Sequence, residues 1–121
     1  MEMKLTMNPI VELFRIRDIA HTIHLETTSY AEHKALDKFY TKWLELTDTY
    51  LENYQGYFGR VKMTYKETIQ LNINNSDALI LAANKLIEKL KLRHPDSSGL
   101  NNILDEFFNL IDETKYLLTL K

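Results

Sequence analysis

Apolar side chains recur along this chain at the spacing of helix faces. Ile10, Phe14, Ile16, Ile19, Ala20 and Ile23 predict a first helix over about 9–26. Asn8 is placed to cap its free amides, and Pro9 suits the first helical position. Thr27, Thr28 and Ser29 interrupt the pattern, and Ser29 with Glu32 reads as a capping box. A second helix follows over about 30–55, striped by Leu36, Phe39, Tyr40, Trp43, Thr47, Tyr50, Leu51 and Tyr54. Gly56 and Gly59 are placed to end it. Asn74 to Asp77 is a break with capping potential. Leu79, Ala82, Ala83, Leu86, Ile87 and Leu90 predict a third helix over about 77–92. After a turn at His94–Gly99, a fourth over about 100–118 buries Ile103, Leu104, Phe107, Phe108, Ile111 and Leu118.

The stretch between the second and third helices, about 56–76, has no such clear period. Val61 to Tyr65 alternates weakly, as extended chain does, and Tyr65 to Leu71 suits a short helix. The first and last connections are short, so each flanking pair should form an antiparallel hairpin. The middle connection is long enough to cross the length of a bundle. The expectation is a single all-α domain over 1–121, a ferritin-like four-helix bundle of two antiparallel hairpins joined by a crossover. Other bundles share that plan, so topology alone gives no activity.

Composition narrows the choice. With 121 residues the chain has room for one core, and 3 glycines and 2 prolines leave long helices intact. A net charge of -2 gives no overall attraction to nucleic acid, and the basic stretch Arg60, Lys62 and Lys66 is small, so strong duplex binding is not expected. The chain has no cysteine, which excludes disulfides, thiolate catalysis and Cys-ligated zinc. Met1 to Met7 lacks a signal-peptide core and no stretch is apolar enough to span a membrane, so the expected location is the cytoplasm. Hydrolytic chemistry has no nucleophile motif, and the glycines lack the spacing of a phosphate-binding loop.

The polar residues with most to say are His21, His33, Asp37, Asp48 and Glu52. His33 and Asp37 stand four apart on the second helix, as do Asp48 and Glu52, and the four fall within roughly a quarter turn of one another. His33 and Glu52 are about 28 Å apart along the axis, too far for one chain to bring to one ion. Two copies packed antiparallel on their second helices, about a two-fold axis near Lys42 and Trp43, would bring His33 and Asp37 of one to Asp48 and Glu52 of the other. His21 can reach the same place. Such a mixed imidazole and carboxylate set suits iron, manganese or zinc. The bland alternative is a solvated flank of an amphipathic helix. His24 is expected at the surface or an interface and not as a ligand, and His94, in a turn before Pro95, is expected to be exposed.

This run, His21 with His33-Lys34-Ala35-Leu36-Asp37 and Asp48-Thr49-Tyr50-Leu51-Glu52, resembles the inter-subunit ferroxidase signature of the Dps family. The resemblance implies iron held by His21, His33 and Asp37 of one subunit with Asp48 and Glu52 of its two-fold mate. It also implies oxidation of Fe(II) by peroxide or oxygen, and a homo-oligomer of at least two subunits and up to a closed shell of twelve. The chain departs from that family in lacking a glycine between its two site histidines, in carrying Asn53 after Glu52, and in its shorter middle connection. Ser29-Tyr30-Ala31-Glu32-His33-Lys34-Ala35-Leu36 and Tyr54-Gln55-Gly56 are also similar to small phage-encoded proteins of unassigned function. That likeness counts in favour of the alternative reading, a non-enzymatic dimeric bundle that binds a host protein or a small ligand and keeps a relic metal site.

Overall fold

The computed structural model describes residues 7–62 and 72–120, with side chains from Pro9 onward. Four helices are described, α1 (Met7–Glu26), α2 (Tyr30–Phe58), α3 (Ser76–Arg93) and α4 (Ser98–Leu118), with no strand among the described residues. Most of the weakly patterned stretch, 63–71, and the N-terminal 1–6 lie outside those residues, so the extended and short-helix expectations there are not addressed. Val61 and Lys62 belong to neither helix nor strand.

Local chemistry sets the helix ends. Ser29, Asn75 and Ser97 each accept a hydrogen bond from the backbone N–H three residues on, at Glu32, Ala78 and Leu100. These bonds satisfy amides that have no partner within the helix. Two boundaries differ from expectation. α1 begins at Met7, so Asn8 lies within its first turn instead of capping it, and Pro9 is tolerated there because that turn's N–H groups have no helical acceptor. α2 runs through Gly56 and stops at Gly59, whose φ of 100° suits glycine and whose N–H returns to the Gln55 carbonyl. A Cβ at Gly56 would meet nothing within 4 Å. Gly56→Ala should therefore stabilise the fold by up to about 1 kcal/mol, read as a higher midpoint in thermal melts.

Each helix packs on two neighbours: α1 on α2 and α3, α4 on α2 and α3. Trp43 Nε1–H donates to the Leu13 carbonyl at 2.8 Å, which ties α2 to α1, and the Trp43 ring meets Phe107 of α4 edge-on at 4.7 Å. Ion pairs link the rims, Glu12 to Lys89, Lys38 to Glu113 and Lys91 to Asp105. Beneath them lies one core containing Ile10, Leu13, Ile16, Leu36, Phe39, Trp43, Leu79, Leu86, Leu104 and Phe107. At one end the Glu32 carboxylate accepts from Thr27 Oγ1 and from Ser76 Oγ, while Thr27 Oγ1 also accepts from Ser29 N–H. The expected capping box has thus become a wider knot that fastens the α1–α2 turn to the start of α3. No described helix is long and apolar enough to cross a membrane.

Candidate functional site

The short turn between α1 and α2 brings His24 and His33 together. His24 Nδ1 lies 2.7 Å from the His33 carbonyl, and His33 Nδ1 lies 2.8 Å from the His24 carbonyl. Because a carbonyl can only accept, both Nδ1 atoms carry the proton and both Nε2 atoms are left as acceptors in the neutral rings. The rings stack at 3.8 Å with 16° between planes. His24, expected at the surface or an interface, is buried in the seam between α1 and α2 of its own chain, where its polar atom finds a backbone partner.

Tyr40 gathers the rest of this cluster. His21 stacks on it at 4.4 Å, His24 meets it edge-on at 5.4 Å, and the Arg17 guanidinium sits 5.5 Å from its centroid. Asp37 lies close to its hydroxyl. Loss of solvation first, then the Asp37 hydrogen bond and negative charge, push the phenol above its ordinary value, against a smaller opposing pull from Arg17. His21, His33 and Asp37 are therefore drawn to one partly buried region at the α1–α2 seam, with Tyr40 and His24 between them. From the sequence, Tyr40 is expected in core packing or at an interface, with stacking near the candidate site as the alternative.

Asp48 and Glu52 lie elsewhere. Both are exposed on α2, toward its C-terminal end, and Glu52 borders a shallow groove with Asn53, Gly56, Tyr57, Ser97, Gly99 and Leu100. Among the described residues no three His, Asp or Glu side chains of one chain converge as metal ligands would. The single chain thus presents two separated halves of the expected set, as the axial distance along α2 requires.

His94 also departs from expectation. It is fully buried at the end of α3, with Nε2 2.7 Å from the Tyr50 hydroxyl, among the rings of Tyr50, Tyr54 and Phe58. Burial pushes the Tyr50 phenol far above its usual range, so it stays protonated.

The match to known proteins follows the helices that build this seam. A family model described as a family of unknown function, DUF5856, matches residues 24–118, from the last turn of α1 to the end of α4. The chain belongs to the DUF5856 family. Within that span fall His33, Asp37, Asp48 and Glu52, and the His24–His33 pair; His21 precedes it. The DUF5856 chain is also similar to an uncharacterized 14.6 kDa protein from the mobD-ri intergenic region of Enterobacteria phage T4. The two are 28% identical over 105 residues, covering 84% of this chain and 77% of that protein. No solved structure matches the chain.

Proposed function

We propose that this DUF5856 protein is a non-enzymatic helical bundle of phage type that works by contact, through the uncovered face of α1 and α2, with a host protein or a small ligand as its target. The observation that carries this reading is the reciprocal His24–His33 pairing, which commits the imidazoles nearest the candidate site to fastening α1 on α2. Tyr40, stacked on His21 and close to Asp37, packs into the same seam. On this reading the bundle is a rigid scaffold, and its neighbour order suits two antiparallel hairpins joined by a crossover of ferritin-like type.

One observation favours a second reading, a Dps-like ferroxidase with Fe(II) as substrate. With Nδ1 held by a carbonyl, the His33 ring has the orientation in which metal-binding histidines are commonly fixed by a second partner, with Nε2 left for the ion. Asp37 stands one turn away, and a two-fold mate would supply Asp48 and Glu52.

One titration separates the two readings. Fe(II) is added anaerobically to chelator-stripped protein, followed by hydrogen peroxide. On the scaffold reading the protein shows no saturable binding and no accelerated ferric absorbance, and Mn(II) or Zn(II) leaves its melting temperature unchanged. Saturable binding with rapid oxidation, lost in His33→Ala/Asp37→Ala while the helical signal persists, would sink the scaffold reading and establish the ferroxidase.

A further inference from the structure

An apolar trough of 410 Å³ lies on the α1–α2 side of the bundle. It runs between Val11 and Phe14 of α1 and Leu44 of α2, with Arg15, Arg17 and Asp18 at its borders. Val11 is buried and Phe14 partly so, while Leu44 keeps 37% of its surface and Arg15 and Asp18 are exposed. Among the described helices α1 packs only on α2 and α3, and α2 only on α1 and α4, so no described helix covers the trough. Its positive groups are not tied up by the fold. Arg15 has no ion-pair partner among the described residues. Arg17 sets its guanidinium 5.5 Å from the Tyr40 centroid and gives Nη1 to Asp18 at 3.2 Å. Its Nε–H is enclosed and meets no acceptor among the described residues. A charged donor left without an acceptor costs free energy, and a carboxylate is the group that fits the side-on edge of a guanidinium, through two parallel bonds. Two guanidiniums against the one carboxylate of Asp18 leave the trough net positive.

We propose that this trough takes an acidic, apolar segment of a partner protein. A bulky aliphatic or aromatic side chain of that segment sits between Phe14 and Leu44, and an Asp or Glu close to it in sequence meets Arg15 and Arg17. Reaching the side-on edge of Arg17 takes a small turn of its side chain, which the solvent-exposed pair with Asp18 resists only weakly. Asp18 repels the incoming carboxylate from its own side and so directs it toward Arg15. A free apolar acid would satisfy the same groups less well. Small-molecule sites enclose most of their ligand, whereas this trough is rimmed by exposed residues and covers one side of an occupant. A protein segment covers the other side with its own chain. Apolar contact then contributes adhesion, and the guanidiniums contribute choice of partner.

The inference rests on the reading of the α1–α2 face as a contact surface, and its readout is peptide binding, not metal. The full chain is immobilised and presented with a displayed library of random twelve-residue peptides, and the enriched peptides are labelled for fluorescence anisotropy. They are expected to share a bulky apolar residue within three or four positions of an Asp or Glu, and to bind more weakly as salt rises. Arg15→Glu and Leu44→Ala should each weaken them about tenfold. Both side chains are exposed, so the helical signal of the variants should persist. Lys115→Ala, at the separate groove between α3 and α4, should leave affinity unchanged. No enrichment, enriched peptides without a carboxylate, or binding indifferent to Arg15→Glu overturns the proposal. Octanoate or phosphatidylglycerol vesicles that bind in an Arg15-dependent way while no peptide enriches would assign the trough to a small acid or a lipid surface, and overturn it too. So would a wild-type dimer that Leu44→Asp dissociates, which would seat a second copy there. An inert iron titration with no peptide enriched rejects the trough alone. Rapid iron oxidation rejects the contact reading itself, whatever the peptides do.

Discussion

Trp43→Ala should remove about 3–5 kcal/mol of folding stability, a large share of the total for a domain of this size. The indole is fully buried and touches three helices: its own α2, α1 through the Leu13 carbonyl and α4 through Phe107. Truncation removes the transfer free energy of the ring and leaves a cavity where those helices meet, and the close-packed neighbours Phe39 and Phe107 can collapse into it only in part. Trp43→Phe separates the two contributions. It keeps most of the apolar volume and the edge-on contact but loses the bond to Leu13. That carbonyl lies within α1 and keeps its own helical donor, so the expected loss from the bond is only about 1 kcal/mol. Urea unfolding followed by far-UV circular dichroism gives both numbers, since the chain has no second tryptophan to report by fluorescence. A Trp43→Ala loss below that of Trp43→Phe would mean that the site collapses around alanine better than it packs a phenyl ring.

The position of Trp43 at the centre of the α2 stripe was readable from spacing alone, because α2 presents one broad face to α1 and α4 and its apolar residues keep the helical period. α1 was harder to read. Its buried arc takes in Val11 and Leu13, while Phe14 and Ile19 lie partly covered at its edge. Four of the candidate ligands could be placed on one side of α2 by arithmetic, and their exposure agrees with that placement: Asp48 and Glu52 are open to solvent, His33 and Asp37 partly covered. The partners of the histidines could not be found that way. His24 is buried because a carbonyl nine residues on closes over it, and His94 because a tyrosine forty-four residues earlier does so. Those are tertiary contacts, which residue type and local period do not encode.

The His94–Tyr50 bond sets the other large expectation, His94→Ala at about 2–4 kcal/mol. The imidazole is completely buried, and its backbone carbonyl also receives Ser97 N–H and Asn101 Nδ2–H, so the residue holds the end of α3 to the start of α4. Removing the ring opens a cavity among Tyr50, Tyr54 and Phe58 and strands the Tyr50 hydroxyl without its partner. Tyr50→Phe is the milder counterpart at about 1–3 kcal/mol, because it strands Nε2 but leaves the packing intact. In the double variant the two losses should add to less than their sum, as they do for residues that share one bond. Alkaline unfolding gives an independent check. The folded-state pKa of Tyr50 is raised, so the native fold binds this proton more tightly than the unfolded chain does. Its stabilising contribution is complete below the unfolded value of about 10 and is lost progressively as pH rises beyond it. Wild-type stability should therefore fall with pH above that point, and the fall should be shallower in Tyr50→Phe. The residual slope in the variant would report the other raised phenol, Tyr40, whose partly covered position beside Asp37 makes its share the smaller one. If the slopes of wild type and Tyr50→Phe coincide, the Tyr50 phenol reaches solvent and the clasp between α3 and α4 is weaker than its burial implies.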